Sequence, residues 1–282
     1  MNRRRFVQLS AVGLGVLTAN RLIAARTPKA LGVQLYTVRD QAEKDLPAVF
    51  EAISKIGYRE VELYWNVYTH SPKELRRMLA DHGLTAPSGH FDYDGLSGKL
   101  DYAQELGVKF VVCPMLPRSM WNSGDDFKKA ADQFNKWGAD VKKRGMVFGF
   151  HNHNYEFKKF GDKTGFETLM ERTDPKLVSL EMDCYWISQA GRDPLKMMSE
   201  LGKRVKLLHL KDRLPGFGTS QELNEAAEHF TEVGAGTLDW KAILDLAEKN
   251  GVEHLFVERD SGKTPALESI KIRYENLQKI MA

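Results

Sequence analysis

The sequence predicts an α/β fold and, within that class, a closed (β/α)₈ barrel. Short apolar or β-branched runs alternate with longer stretches whose apolar residues recur at helical spacing. The runs are mostly apolar, which is typical of parallel strands that are covered by helices. Eight such units of about 30 residues follow one another, and this number and size fit a barrel of this class.

The strand candidates are each six or seven residues long. In order they are LGVQLYT (31–37), YREVELY (58–64), TAPSGHF (85–91), VKFVVCP (108–114), MVFGFH (146–151), LVSLEMD (177–183), VKLLHL (205–210) and EHLFVER (253–259). Each gap between them is long enough for one helix, so we expect eight consecutive βα units.

Helical patterns are clearest in LPAVFEAISKIG (46–57), SPKELRRMLADHG (71–83) and DWKAILDLAEKNG (239–251). Glycines that suit the end of a helix close five of the helical stretches, at Gly57, Gly83, Gly107, Gly145 and Gly251. An open doubly wound sheet is the competing arrangement, but no glycine-rich phosphate fingerprint follows the first strand. The sequence shows no linker or second domain, so residues 26–282 are predicted to form one domain.

Residues 1–25 are predicted to be an export signal. The basic start, the apolar run over 12–19 and the small residues near Ala24 and Ala25 are typical of a cleaved signal. The segment RRRF (3–6) matches the twin-arginine pattern. The alternatives are an ordinary secretory signal or a membrane anchor, although the run is shorter than the roughly 20 residues that a spanning helix needs. We therefore expect a periplasmic or otherwise exported protein, with no stable membrane partner after signal removal.

The charge of the chain argues against nucleic acid as a partner. The whole chain has 41 basic and 38 acidic residues, but the predicted signal contains four of the arginines and no acid. The remaining chain has 37 basic and 38 acidic residues, a net charge of −1. Proteins that neutralise many phosphates normally carry a basic surface.

The two cysteines, Cys113 and Cys184, are both predicted to lie in strands. An exported protein meets oxidising conditions, but the interiors of two different strands seldom satisfy disulfide geometry. We therefore expect two free, buried thiols.

Polar side chains cluster where the predicted strands end, and in barrels of this class the chemistry lies at those ends. The strands contribute, in order, Gln34 and Tyr36; Glu60 or Glu62; His90; His151, His153 and Glu156; Glu181, Asp183 and the following Trp186; His209, Lys211 and Asp212; and Glu258. Taken singly, a histidine or glutamate on a strand is usually a core or rim residue whose hydrogen bonds are made within the protein. Tyr36 and Trp186 suit packing in the core as well as stacking against a sugar ring. As a set, these groups are costly to bury unless they pair or bind a metal.

One shared metal ion explains polar ends on several strands at once. Carboxylates and imidazoles with few thiols favour a divalent Mn, Zn, Co or Mg ion over a softer metal. Asp183, His209 and Glu258, on three consecutive strands, are the first expected ligands. A further ligand is expected from the fifth strand, where His151, His153 and Glu156 are the alternatives.

Six motifs span nearly the whole chain beyond the predicted signal. They are GVQLYTVRD (32–40), HNHNYEF (151–157), TDPKLVSLEMDCYW (173–186), KRVKLLHLKD (203–212), EVGAGTLDW (232–240) and LFVERD (255–260). With these motifs the chain resembles the sugar phosphate isomerase/epimerase family of xylose isomerase-like TIM barrels. The resemblance implies a divalent metal held by a group on strand five together with Asp183, His209 and Glu258.

The resemblance also implies roles for the other strand-end residues. Many ketose epimerases of this fold end strand five with a glutamate, and a pair of metal-bridging glutamates moves the proton. This chain has His151 in the nearest position, so Glu156 is taken as the fourth ligand, and Glu156 with Glu258 as the catalytic pair. His153 and Lys211 are further catalytic candidates. The substrate-binding candidates are Gln34, Tyr36, Glu62, His90, His151, Glu181 and Trp186, the last standing where some relatives carry a histidine.

These residues predict a metal-dependent isomerase or epimerase of a non-phosphorylated sugar or keto-sugar that works through an enediolate. Export favours a non-phosphorylated substrate, because sugar phosphates are chiefly cytosolic. The alternative is a keto-sugar dehydratase or lyase, since relatives of inosose dehydratase share these motifs. A nuclease resembling endonuclease IV would need more histidine ligands and a basic groove, and a non-catalytic periplasmic sugar-binding protein is a further alternative. The expected partner is a small carbohydrate, and a homo-oligomer is compatible with the sequence.

Overall fold

The structure is a computed structural model, and it describes residues 30–223 and 227–282. The predicted export signal over residues 1–25 lies outside the described residues and stays a prediction.

Eight parallel strands form a closed barrel, which confirms the predicted fold class. They are β1 (Leu31–Gln34), β2 (Glu60–Leu63), β3 (Thr85–His90), β4 (Phe110–Cys113), β5 (Val147–His151), β6 (Val178–Asp183), β7 (Val205–Leu210) and β8 (His254–Val257). Each strand pairs with the next one along the chain, and β8 closes the barrel against β1, where Leu255 lies opposite Leu31.

A helix follows every strand. The helices are α1 (Leu46–Ile56), α2 (Pro72–Asp81), α3 (Leu100–Leu106), α4 (Gly124–Lys143), α5 (Gly165–Arg172), α6 (Pro194–Leu201), α7 (Trp240–Asn250) and α8 (Ala266–Met281). Short helices at Arg39–Ala42 and Cys184–Gln189 directly follow the turn after β1 and the end of β6. Two small antiparallel hairpins pair Lys159–Phe160 with Lys163–Thr164 and Asp212–Arg213 with Phe230–Thr231. Within the described ranges, no helix has the length and apolar character to cross a membrane.

Side-chain caps start α1 and α2 where the sequence pattern predicts these helices. At α1 the Asp45 carboxylate accepts a hydrogen bond from the Ala48 N–H at 3.0 Å. At α2 the Ser71 hydroxyl and the Glu74 carboxylate each accept from the other residue's backbone N–H, which is a capping box. These caps satisfy backbone donors that the first turn of a helix leaves unpaired, so each helix starts at a defined residue.

Apolar side chains fill the lower half of the barrel interior, towards the amino ends of the strands. Phe110, Val112, Leu207 and Phe256 form a buried cluster of their own there. Gly32 leaves the space for it, because a Cβ at this position would lie 2.4 Å from a Phe256 ring carbon. We call this cluster the apolar plug. His209 and Glu258 lie two residues beyond Leu207 and Phe256 on the same face of the barrel, so the apolar plug packs directly beneath these polar residues.

The predicted strand bounds agree with the structure within two residues except at the first strand, and one residue predicted to lie in a strand does not. The first strand was expected over 31–37, but β1 ends at Gln34, because its side-chain oxygen accepts from the Tyr36 N–H at 3.1 Å and starts a 3₁₀ turn. Cys184 starts the helix Cys184–Gln189 and does not lie in a strand, whereas Cys113 is the last residue of β4. Both thiols are free and buried, as predicted.

Candidate metal centre

Two overlapping groups of ligand-type side chains occupy the carboxyl end of the barrel, which we call the mouth. The outer group is His151, Asp183, His209 and Glu258, and the inner group, one layer deeper, is His90, His151, Glu181 and His209. In each group one ligand atom per residue lies within 4.8 Å of all the others, and every member is buried. The outer group contains three of the four metal ligands predicted from the sequence.

The Asp183 carboxylate of the outer group is held in place by hydrogen bonds at one of its two oxygens and at its backbone N–H. Asp183 Oδ1 accepts from the Trp186 N–H at 2.9 Å, and the Asp183 N–H donates to Asn152 Oδ1 at 3.0 Å. The second oxygen, Oδ2, has no hydrogen-bond partner of good geometry among the described residues. It lies 3.9 Å from both His151 Nε2 and His209 Nδ1, and this spacing leaves room for an ion between the ligands.

Lys211 supplies the positive charge next to this group. Its buried ammonium lies 2.6 Å from Glu258 Oε2, 2.8 Å from Asp260 Oδ2 and 3.1 Å from Asp183 Oδ2. Burial acts to lower the pKa of Lys211, but the three carboxylates raise it well above its usual value. Burial acts to raise the pKa of Glu258, but Lys211 and His209 hold the pKa of that carboxyl well below its usual range. The pair is therefore ionised at neutral pH.

The two histidines of the outer group differ in charge. Burial lowers the pKa of His151 well below its usual value, and the neighbouring imidazoles act in the same direction, so this ring is neutral. For His209 the effect of burial is outweighed by Glu181, Glu258 and Glu62, which raise its pKa. An ion that binds His209 would therefore displace a proton.

The donor set fits a divalent ion. Two imidazole nitrogens and two carboxylate oxygens are ligands that Zn²⁺, Mn²⁺ and Co²⁺ share. Asp183 Oδ2, which contacts Lys211 but has no hydrogen bond of good geometry in the described ranges, lies 3.9 Å from both imidazole nitrogens. No thiol contributes to either group, and the two free cysteines are buried elsewhere.

Glu156, predicted as the fourth ligand, is not in either group. The chain turns back at Tyr155–Phe157, and Glu156 Oε2 accepts from the His153 N–H at 3.0 Å. Burial raises the pKa of Glu156 to about 8. Of the three alternatives from the fifth strand, the structure places His151 in the outer group.

Four residues predicted to bind substrate lie below the mouth instead. The Glu62 carboxylate accepts from Gln34 Nε2 at 2.7 Å and also from the Ser88 hydroxyl. His90 Nε2 lies 2.6 Å from Glu181 Oε2. Because these groups are buried and bonded to one another, they are neighbours of the ligands and do not face the mouth directly.

His153 and Trp186 remain suitable for substrate contact. Their rings lie 5.3 Å apart, and His153 Nδ1 and Trp186 Nε1 are buried atoms with no hydrogen-bond partner in the described ranges. Lys211 Nζ lies 5.6 Å from the centre of the Trp186 ring. Tyr36, in contrast, packs against Tyr64 and Trp65 with ring centres 6.0 and 5.6 Å away.

Two neighbours of the candidate ligands, Asp260 and Asn152, were not predicted from the sequence, and Asp212, which was expected with the strand-end residues, holds a loop instead. Asp260, at the end of LFVERD, contacts Lys211, and burial raises its pKa to about 7. Asn152 holds the backbone of Asp183, and its position between two motif histidines was the available signal. Asp212 accepts from Trp240 Nε1 at 2.7 Å and from several backbone N–H groups, including that of Gly234, so it serves the loop before α7.

Known proteins resemble this chain over most of its length. Residues 50–276 match the family described as xylose isomerase-like TIM barrel. An inosose dehydratase from Geobacillus thermodenitrificans is 25% identical and aligns with 68% of this chain and 74% of its own. An inosose dehydratase from Lacticaseibacillus casei is 25% identical and aligns with 83% of this chain and 90% of its own. The crystal structure of a sugar phosphate isomerase/epimerase from Parabacteroides distasonis has a TM-score of 0.75 and 27% identity, covering 90% of this chain and 95% of that one.

Proposed function

Because this chain belongs to the family of xylose isomerase-like TIM barrels, we propose that it is a metal-dependent lyase that removes water from a non-phosphorylated keto-sugar or keto-inositol. The observation that carries the proposal is the outer group, a buried set of metal-ligand atoms beside the Lys211 ammonium. The similarity to two inosose dehydratases favours the lyase over the isomerase or epimerase that the sequence suggested first.

We assign the ligands of one divalent ion to His151, Asp183, His209 and Glu258. This assignment replaces Glu156 by His151. A bound ion would polarise a substrate carbonyl and its neighbouring hydroxyl and so acidify the C–H bond between them.

A histidine next to the assigned ligands supplies the proton transfers, since the His153 ring centre lies 4.9 Å from that of His151. His153 is the proposed base, because burial lowers its pKa and so leaves the ring unprotonated at neutral pH, and because its Nδ1 has no partner in the described part of the chain. It takes the proton from the carbon beside the carbonyl, a carbon–carbon double bond forms, and the neighbouring C–O bond breaks. The hydroxide leaves as water with that proton, which restores the neutral imidazole.

Lys211 and Trp186 have supporting roles in this proposal. The Lys211 ammonium stabilises negative charge as it develops on the substrate oxygens. The Trp186 N–H is a buried donor that a substrate hydroxyl would satisfy. Glu258, held ionised by Lys211 and His209, acts as a ligand and not as the mobile base.

The experiment is a product analysis in D₂O. The purified chain, stripped of metal and then loaded with Mn²⁺, Zn²⁺, Co²⁺ or Mg²⁺, is incubated with a panel of keto-inositols and keto-sugars and followed by NMR. Loss of water with formation of an alkene or its diketo tautomer supports the lyase. His153→Gln is expected to abolish this loss, whereas His254→Gln, which changes a histidine paired with Glu60 at the other end of the barrel, is expected to retain it.

The second candidate is the isomerase or epimerase, supported by the similarity to the solved sugar phosphate isomerase/epimerase. Deuterium incorporation with a changed configuration or a moved carbonyl, and no loss of water, would favour this candidate and overturn the lyase. Substrate binding with neither exchange nor loss of water would favour a sugar-binding protein.

We also propose that the chain is exported by the twin-arginine route, based on RRRF (3–6) and the apolar run that follows it. The test is fractionation of cells that express the full chain. Arg3→Lys combined with Arg4→Lys is expected to leave an uncleaved precursor in the cytoplasm, and unchanged export would contradict the twin-arginine route.

A further inference from the structure

We propose that Glu62, His90 and Glu181 form a positioning layer that fixes the tautomers of His209 and His151, so that each ring turns an unprotonated nitrogen towards the metal. This inference rests on the metal centre of the proposed function. It assigns these three residues to neither substrate binding nor metal binding.

Carboxylates lie on both sides of the His209 ring, and on the inner side Glu62 is nearer than Glu181, whose Oε2 lies 3.2 Å from Nε2. His209 Nε2 lies 2.6 Å from Glu62 Oε2, in the inner layer, and His209 Nδ1 lies 2.7 Å from Glu258 Oε2, in the outer group. A ligating nitrogen must give up its proton, and the other nitrogen then keeps one. Glu62 therefore receives the Nε2–H donor, and Nδ1 is the atom left for the metal.

His151 repeats the arrangement with its nitrogens exchanged. Its Nδ1 lies 3.2 Å from Glu181 Oε2 in the inner layer, and its Nε2 points to the outer group, 3.9 Å from Asp183 Oδ2. An Nδ1–H that donates to Glu181 leaves Nε2 for the metal. In both histidines the nitrogen that faces away from the outer group thus contacts a carboxylate of the inner layer, Glu62 for His209 and Glu181 for His151. Such partners orient ligating imidazoles and raise their basicity.

The inner carboxylates are themselves held in place. Glu62 accepts from Gln34 Nε2 at 2.7 Å and from the Ser88 hydroxyl, and its side chain is fully buried. The His90 Nε2 lies 2.6 Å from Glu181 Oε2 and 3.3 Å from Glu62 Oε2. His90 therefore stands between two carboxylates that would otherwise repel each other, and it limits how far either can rotate.

A second metal ion in the inner group is the competing explanation of the same residues. Ligands of a tetrahedral ion at about 2.1 Å stand about 3.4 Å apart. His90 Nε2 and Glu181 Oε2 stand only 2.6 Å apart, but His209 Nδ1 and Glu258 Oε2 of the outer group are also at a hydrogen-bond distance, 2.7 Å. The number of Co²⁺ ions bound therefore decides between the two explanations: one ion per chain supports the positioning layer, and two ions would overturn it.

The test compares two matched glutamate-to-glutamine changes on the same strand, Glu62→Gln and Glu60→Gln. Both remove a carboxylate that contacts a histidine, because Glu60 Oε2 lies 2.8 Å from His254 Nδ1 at the opposite end of the barrel. The affinity for Co²⁺ is measured by competition titration, and the visible Co²⁺ spectrum reports the ligand geometry. Protein labelled with ¹⁵N-histidine shows by NMR which ring nitrogens carry protons before and after Co²⁺ is replaced by the diamagnetic Zn²⁺.

We expect Glu62→Gln to weaken Co²⁺ binding by about 10- to 100-fold and to alter the spectrum. Glu60→Gln should bind as tightly as the unchanged chain. In the unchanged chain, Zn²⁺ should remove the proton from His209 Nδ1 and leave the one on Nε2. Glu181→Gln should weaken binding through His151 in the same way, and circular dichroism shows whether each variant is folded.

The outcomes separate this inference from the function. Equal affinity and an unchanged spectrum in Glu62→Gln, or Zn²⁺ on His209 Nε2, would overturn the positioning layer while the lyase stands. Weakened binding in Glu62→Gln without any loss of water from the substrate panel would support the layer and remove the lyase. An unchanged chain that binds neither Co²⁺ nor Zn²⁺ would overturn both.

Discussion

Replacing Lys211 by methionine should destabilise the metal-free protein and yet tighten metal binding. In the structure its ammonium is the buried cation between Asp183, Glu258 and Asp260, at 2.6 to 3.1 Å from each. Methionine keeps most of the volume but leaves three carboxylates without that charge. Removing one partner of a buried ion pair costs about 3–5 kcal/mol.

A bound divalent ion would supply the missing charge. The metal-loaded variant should therefore lose only about 1–2 kcal/mol of its free energy of unfolding, since the ion pairs with Asp183 and Glu258, two of the three carboxylates. The thermodynamic cycle then requires metal binding to become more favourable by about 1–4 kcal/mol, which is at least about fivefold, because about 1.4 kcal/mol corresponds to a factor of ten. Catalysis should nevertheless be lost, since the ammonium faces the substrate in the proposed mechanism.

The assay is urea unfolding of Lys211→Met with and without metal, alongside metal titration. The matched control is Lys206→Met on the same strand, where the lysine makes a half-exposed pair with Glu253 at 3.5 Å. That surface pair should contribute about 0–1 kcal/mol. If the metal-free Lys211→Met chain is no less stable than Lys206→Met, or if its metal affinity falls, the electrostatic reasoning is wrong.

Asp183→Ala and His209→Ala should each abolish metal retention and leave the barrel folded; elemental analysis with circular dichroism checks this, and retained metal in either variant would contradict the ligand assignment. Glu156→Gln should flatten the pH dependence of stability. The folded chain keeps a proton on Glu156 up to about pH 8, while the unfolded chain releases it above its usual value of 4.5, so stability falls as the pH rises between these values. The difference in free energy of unfolding between the variant and the unchanged chain should shift in favour of the variant by up to a few kcal/mol from pH 5 to pH 8.5. Urea unfolding at both pH values measures it, and parallel pH curves of the two chains would refute this. Gly32→Ala should destabilise the barrel by about 1–3 kcal/mol, because the added methyl group would lie 2.4 Å from the Phe256 ring. Thermal unfolding measures it, and an unchanged midpoint would show that the ring moves aside freely.

The fold could be predicted from the sequence because its signals are local. The apolar runs identify the eight strands, and caps such as Ser71 with Glu74 start the helices where the pattern places them. The end of β1 was misplaced because the Gln34 side chain bonds forward to Tyr36, a contact that leaves no mark on hydrophobic periodicity.

The depth of each site residue could not be predicted in the same way. Alternation along a strand tells which side chains face the barrel interior, but their height depends on the register between strands. In β6 Asp183 is the last residue and Glu181 lies two residues earlier on the same face, and of the two acids only Asp183 belongs to the outer group. The same reason explains why Glu62 was taken for a substrate contact.

Glu156 illustrates a different limit. It follows the strand by a few residues and has the right chemistry for a ligand, yet the 3₁₀ turn at Tyr155–Phe157 directs its carboxylate back to the His153 N–H. Short turns of this kind depend on a few hydrogen bonds rather than on a repeated pattern.

The apolar plug has a practical consequence for engineering. Phe110, Val112, Leu207 and Phe256 separate the amino-terminal end of the barrel from the polar mouth. Surface attachment through the amino-terminal end, for example at a cysteine introduced beside Lys109 or Glu253, would anchor the protein to a solid support while the mouth faces solution. A library that diversifies the loops at the mouth could likewise be built on this unchanged base, because the plug carries the packing of the interior independently of them.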